Sequence, residues 1–130
     1  MTQVLMAAIM RTDFPTVRPE TPIRRVAARL VETGEPAAPV LQDDGRMVGL
    51  ITQKDCFRSA LHASYYREWT SVAGDHMSRD VMHVAASDDL IKVAEMFLNC
   101  PHRVFPVCDQ ADVVGIIHRD DILAELIRLG

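Results

Sequence analysis

The chain is poor in several things that would define a function at once. Three of its 130 residues are cysteine, Cys56, Cys100 and Cys108, and no two of them form a C-x-x-C pair. An odd number without ligand spacing argues against a disulfide framework or a zinc ribbon, and suits thiols used as small hydrophobes in a reducing cytoplasm. No apolar run approaches the about 18 residues that a membrane-spanning helix needs. The opening MTQVLMAAIMRTD lacks a basic start and a small-residue cleavage pattern, so no secretory signal and no membrane partner are expected. Positive charge is also short: 14 basic against 18 acidic side chains, a formal charge of −4. That balance excludes a general nucleic-acid binder, which carries basic faces, but leaves room for a small anion at one local site. No P-loop, dinucleotide fingerprint or nucleophile motif with an evident base occurs, so no catalytic residue and no enzyme activity are expected.

What the chain does have is an ordinary globular composition, 48% hydrophobic and 25% charged, at a length suited to one compact module. It also has an internal repeat. A shift of 67 places Met10, Asp13 and Val17 on Met77, Asp80 and Val84, and Val26, Ala27, Pro39 and Val40 on Val93, Ala94, Pro106 and Val107. After a one-residue deletion, a shift of 66 places Val48, Gly49, Ile51 and Asp55 on Val114, Gly115, Ile117 and Asp121. The expectation is two half-domains, 1–66 and 67–130.

Each half reads as helix, two strands, helix. In the first, Thr21 is the expected N-cap and Pro22 the first helical residue. Ile23, Val26, Ala27, Leu30 and Val31 then recur at helical spacing until Gly34. In the second, Asp88 is the expected cap and Leu90, Val93, Ala94, Phe97 and Leu98 form the same stripe. Short apolar runs follow, PAAPVLQ and MVGLIT around Asp44-Gly45, and RVFPVCD and VVGIIH. Last helices are expected from Lys54 to about Arg67 and from Arg119 to Leu129. The lead-ins DFPTV and DVMHV each have room to add a strand. One unit cannot cover both faces of its small sheet, so an α/β (α+β) fold of two packed repeats follows.

The strongest local signal is Gly49-Leu50-Ile51-Thr52-Gln53-Lys54-Asp55. Thr52 stands where strand becomes helix, where free N–H groups and a hydroxyl attract phosphate. Asp55, one turn on, offers acceptors for ribose hydroxyls. The plainer reading makes the same two residues a helix cap and its first-turn acid.

The pattern P-V, then G-h-h-[ST]-x-x-D, preceded by M-x-x-D-x-x-x-V and present twice, resembles the cystathionine-β-synthase-type (CBS) domain, and the tandem resembles a CBS pair or Bateman module. The resemblance covers nearly the whole chain. It implies two CBS repeats related by a pseudo-twofold axis, 1–66 with an aromatic linker helix over 56–70, and 67–130. It also implies clefts between the repeats for an adenosyl ligand such as AMP, ADP, ATP or S-adenosylmethionine, with no cofactor required. Carried over, one cleft uses Thr52 and Asp55 with Lys54, and with Arg79, Asp80, Val81, Met82, Arg103 and Val104 from the other half. His102 joins its basic surroundings. The second uses His118 and Asp121 with Thr12, Phe14, Pro15, Pro36 and Ala37. There His118 departs from the pattern, which expects Ser or Thr.

Asp75, His76, Asp80 and His83 lie close in sequence but show no recurring ligand spacing, so no metal is expected. Tyr65, Tyr66 and Trp69 concentrate aromatics in a chain with four Phe, two Tyr and one Trp. They suit either a linker packed on its own core or an association surface, and the family resemblance implies a homodimer. The favoured function is a regulatory, non-catalytic adenosyl-ligand module. The alternative is a structural dimerisation or docking module that holds an unknown protein partner and no nucleotide.

Overall fold

A computed structural model of the chain describes residues 3–130. The elements run α1 (Met6–Ile9), α2 (Ile23–Thr33), β1 (Ala37–Leu41), β2 (Met47–Thr52), a 3-10 turn (Lys54–Cys56), α3 (Phe57–Tyr66), a second 3-10 turn (Ala73–Asp75), β3 (Val84–Ala85), α4 (Leu90–Leu98), β4 (Val104–Asp109), β5 (Asp112–His118) and α5 (Arg119–Leu129). Helices and two small sheets recur in the same order in each half, which is the α+β repeat fold.

Two compact units form. One is contiguous, Pro15–Val81; the other joins the segment ending at Phe14 to Met82–Gly130. Repeat and unit are therefore different divisions of the chain. Each unit holds the helix–hairpin–helix of one repeat and the segment that runs up to the lead-in of the other.

In the contiguous unit β1 and β2 pair antiparallel, with Ala37 opposite Thr52 and Val40 opposite Gly49. Val17 bridges Val40 in parallel, so the DFPTV lead-in does add to the sheet. The other unit repeats this: Val84 pairs in parallel with Val107, and β4 pairs antiparallel with β5. Ile23, Val26, Leu30, Ala38, Val40, Ile51 and Cys56 fill one core, where Trp69 packs half-buried. Met6, Leu90, Val93, Phe97, Phe105, Val107, Ile117 and Ile122 fill the other, with the Phe97 and Phe105 rings 4.3 Å apart.

The expected caps shift by one residue. Pro22, not Thr21, is the N-cap of α2, because the Thr21 hydroxyl instead accepts from Arg18 N–H at 2.9 Å. The Ile23 N–H is satisfied by Ser71 O at 2.9 Å. Asp89, not Asp88, caps α4 by accepting from Lys92 N–H. Gly34 closes α2 at φ 71°, a left-handed conformation that favours glycine. The linker helix is shorter than expected: α3 ends at Tyr66 and Arg67 turns left-handed at φ 56°.

Gly49 and Gly115 hold the lead-ins. Leu50 and Ser78 exchange two backbone hydrogen bonds of 2.9 Å, and Arg11 and Ile116 exchange bonds of 2.8 and 2.9 Å. A Cβ on Gly49 would stand 2.6 Å from Met77 Sδ and 2.9 Å from Ser78 O; on Gly115 it would meet Met10 Sδ at 2.7 Å and Arg11 O at 2.8 Å. The thioether can move, but the carbonyl is part of the ladder. Gly49→Ala is therefore expected to lower stability by about 1–3 kcal/mol, the usual cost of overpacking, as read by urea unfolding. An unchanged midpoint would show that the lead-in is free to shift.

Candidate ligand site

Thr52 ends β2, and the chain turns there into the Lys54–Cys56 turn that opens α3. Two reciprocal bonds fix this corner: Asp55 N–H donates to Thr52 Oγ1 at 3.1 Å, and Thr52 N–H donates to Asp55 Oδ2 at 2.9 Å. The capping reading of the pair thus holds. It does not use up either group, since the Thr52 hydroxyl still has a proton to donate. Among the described residues, Asp55 Oδ1 has no hydrogen-bond partner either.

The corner is stapled to the segment before β1. Gln53 N–H donates to Pro36 O at 2.9 Å, and Gln53 Nε2 donates to Glu35 O at 2.9 Å. Ala37, buried in β1, lies across the ladder from Thr52. Lys54 is exposed at the start of the turn, and Arg79 is exposed one residue past the Ser78 bridge. Neither has an ion-pair partner among the described residues. Asp80 is exposed beside them, and Val81 is half-buried at the end of the unit. The Pro15–Val81 unit therefore contains Thr52, Asp55, Lys54, Ala37, Arg79 and Val81. Of these, sequence reasoning assigned Ala37 to the other cleft.

The remaining candidates belong to the other unit. His118 ends β5 opposite Val104 on the ladder, and its N–H donates to Asp121 Oδ2 at 3.2 Å. Arg119 N–H donates to Arg103 O at 2.9 Å, the counterpart of the Gln53–Pro36 bond. Arg103 and Met82 are exposed, Val104 is buried, and Phe14 is half-buried. His102 does not extend freely into solvent; its ring packs 5.5 Å from Phe105 with a buried Nδ1.

The two corners differ at one residue that sequence reasoning missed. Arg11 grips Asp121 with both arms, Nε to Oδ2 at 3.0 Å and Nη2 to Oδ1 at 3.0 Å. Both carboxylate oxygens are thus occupied, in the bidentate geometry that guanidinium favours. The 67-residue shift places Ser78 where Arg11 stands, so Asp55 meets no such partner. That shift was the available signal.

Burial pushes the Cys108 thiol above its ordinary range, and burial with the nearby Asp55 charge does the same to Cys56. Both stay protonated packing residues. Among the described residues, no group of three or more His, Cys, Asp or Glu side chains is placed to hold a metal ion. None of the described helices is long and apolar enough to cross a membrane.

The description of the CBS domain matches residues 6–62 and again 72–128. An uncharacterized protein of Methanocaldococcus jannaschii is 26% identical over 115 residues, which are 88% of this chain and 40% of that protein. The chain therefore spans less than half of that relative. Among solved structures, CBSX2 of Arabidopsis thaliana in complex with AMP superposes with a TM-score of 0.82 at 23% identity, covering 96% of this chain and 97% of that one. The CBS domain pair of protein MJ0100, in complex with 5′-methylthioadenosine and S-adenosyl-L-methionine, superposes with a TM-score of 0.84 at 21% identity over 99% of this chain and 100% of that one.

The reciprocal bonds at the corner carry an energetic expectation of their own. Thr52→Ala removes the acceptor for Asp55 N–H and should cost about 1 kcal/mol, as N-cap losses do. Thermal unfolding reads this directly, and an unchanged Tm would mean that water replaces the hydroxyl without loss.

Proposed function

The chain belongs to the CBS domain family as a tandem pair, and on that premise we propose that it is a non-catalytic regulatory module that binds an adenosyl ligand at the Thr52–Asp55 corner. The observation that carries this reading is the spare capacity of that corner. Thr52 keeps a donor and Asp55 keeps an acceptor oxygen after the cap is made. A ribose diol needs an acceptor of this kind, and a phosphate is met by the Thr52 hydroxyl with Lys54 and Arg79 nearby in the same unit. Relatives of the same fold described with AMP or with S-adenosyl-L-methionine support the ligand class. AMP, ADP, ATP and S-adenosylmethionine all present the same adenosine to it. A ligand with unequal affinity for two arrangements of the module would shift their balance, and this is how such a module regulates without chemistry.

The Arg11–Asp121 pair makes the reading asymmetric. An aspartate engaged at both oxygens by a bidentate guanidinium is a poorer acceptor for a ribose until that pair breaks, so one ligand per chain is the expected stoichiometry. Calorimetry with AMP, ADP, ATP and S-adenosylmethionine tests both points. The expected result is saturable binding of at least one of them near one per chain. Asp55→Asn should abolish it while keeping the cap, because the outward acceptor becomes a donor. Arg11→Ser should add a second, weaker event. A flat response to all four ligands, in calorimetry and in thermal shift, would overturn the reading; a ligand at about 100 times its dissociation constant adds about 2.7 kcal/mol to stability and would not be missed.

A second reading concerns assembly and rests on a different observation. Phe57 and Leu61 on α3 are each 61% exposed, and Tyr65 and Tyr66 extend the same helix into solvent. Leu123 and Ile127, at the matching positions of α5, are 59% and 72% exposed. Apolar residues repeated at the same exposed places in both halves give each helix a face that water disfavours. We infer that these helices join two copies into a homodimer. Sedimentation should then give a dimer for the native chain and a monomer for Leu61→Asp combined with Ile127→Asp. A native monomer at all concentrations would refute it.

A further inference from the structure

Away from the Thr52–Asp55 corner, a polar cavity lies in the Pro15–Val81 unit. It has a volume of about 210 Å³ and is bounded by Arg58, Ser59, His62, Thr70, Ser71 and His76. We propose that it binds a phosphate-sized oxyanion.

Three of its groups form a triangle. Ser59 Oγ stands 3.0 Å from Ser71 Oγ and 3.2 Å from His76 Nε2, and Ser71 Oγ stands 2.9 Å from His76 Nε2. Ser59 is buried, with 8% exposure. In the tautomer that carries its proton on Nε2, the ring donates to Ser71 Oγ, one serine hydroxyl donates to the other, and the remaining hydroxyl proton is free to turn into the cavity. Arg58 and His62, four residues apart on α3, add a guanidinium and a second imidazole on the same side. No carboxylate lines the cavity, and Arg58 has no ion-pair partner among the described residues. Hydroxyl, imidazole and guanidinium donors with no competing acid are the donor set an oxyanion needs. The space suits a phosphate or a small phosphate ester and is too small for a whole nucleotide.

The duplicated fold shows that none of this polarity is required for packing. The repeat shift places Ser71 and His76 on Val4 and Ile9, which pack against the apolar core of the other unit. Ser59 and His62 fall on Glu125 and Arg128, which neutralise each other in an ion pair. Arg58 falls on Ala124. One unit closes this place with aliphatics and a self-cancelling pair; the other keeps it open, uncancelled and lined with donors.

Imidazole resonances of the full chain report the site directly when inorganic phosphate is titrated against chloride at constant ionic strength. The expected result is that His62 and His76 shift together with one saturating dissociation constant while His83 and His102 stay still. Arg58→Gln should weaken that constant about tenfold, the size of one charge-assisted hydrogen bond. Ser71→Val, the side chain type the other unit carries there, should abolish the response and leave the fold intact by circular dichroism. Methyl phosphate in place of inorganic phosphate separates an esterified ligand from the free ion, and saturation by either supports the site. The response should persist in Asp55→Asn, which separates it from the adenosyl corner. Non-saturating shifts spread over all the histidines, or an unchanged constant in both cavity variants, would overturn the proposal.

Discussion

Everything in the molecule hangs on how closely two stretches of backbone approach at Gly49 and Gly115. A side chain at either glycine would collide with the carbonyl of Ser78 or Arg11, and without that approach the paired hydrogen bonds to Leu50 and Ile116 cannot form. Those bonds dock each lead-in beside the strand end where Thr52 or His118 stands. The methionines Met77 and Met10 cover the two glycines because an unbranched thioether adapts to a narrow irregular gap. Removing the Cβ is a sequence-level decision; its result is a fixed distance between a lead-in and a helix-starting corner.

Because the same scaffold is built twice, each half serves as a control for the other. Where both halves carry the same residue type, as with the aliphatic stripes of α2 and α4, the reason is packing. Where they differ, the fold has been shown to tolerate either choice. Arg11 against Ser78, His118 against Thr52, and Val4 and Ile9 against Ser71 and His76 are differences of this second kind. They alter charge and hydrogen-bonding capacity while leaving the strand registers and the repeated bulges after Val40 and Val107 in place.

Much of the fold was legible because it is written in local periodicity. The stripe from Ile23 to Leu30, the Asp44-Gly45 hairpin and the span Arg119–Leu129 can each be read within a dozen residues. The caps were less legible: Thr21 and Asp88 have the right chemistry, but each is drawn into a competing local bond, with Arg18 N–H and with Ala85 N–H. The corner residues Thr52 and Asp55 could be named from their motif, and their mutual bonds follow from their spacing. For the Arg11–Asp121 pair the repeat shift marks only that Arg11 and Ser78 differ; the partner of Arg11 lies 110 residues away. Topology alone joins them. Ser59, Ser71 and His76 escaped for a related reason, as the turn after α3 brings together residues that no periodicity links.

The crossing of the segment around Arg11 to β5 also bears on the order of events on a chain made from its N-terminus. The unit Pro15–Val81 is contiguous, and all of its partners exist once its last residue has emerged. The other unit cannot close until β5 is available to receive Arg11, which was synthesised more than a hundred residues earlier. Until then Met6 and Met10 have no core to enter, and the loop they must close costs entropy that the intervening folded unit reduces by shortening the free chain. The contiguous unit can therefore mature by itself, and the other is completed when the segment around Arg11 meets β5.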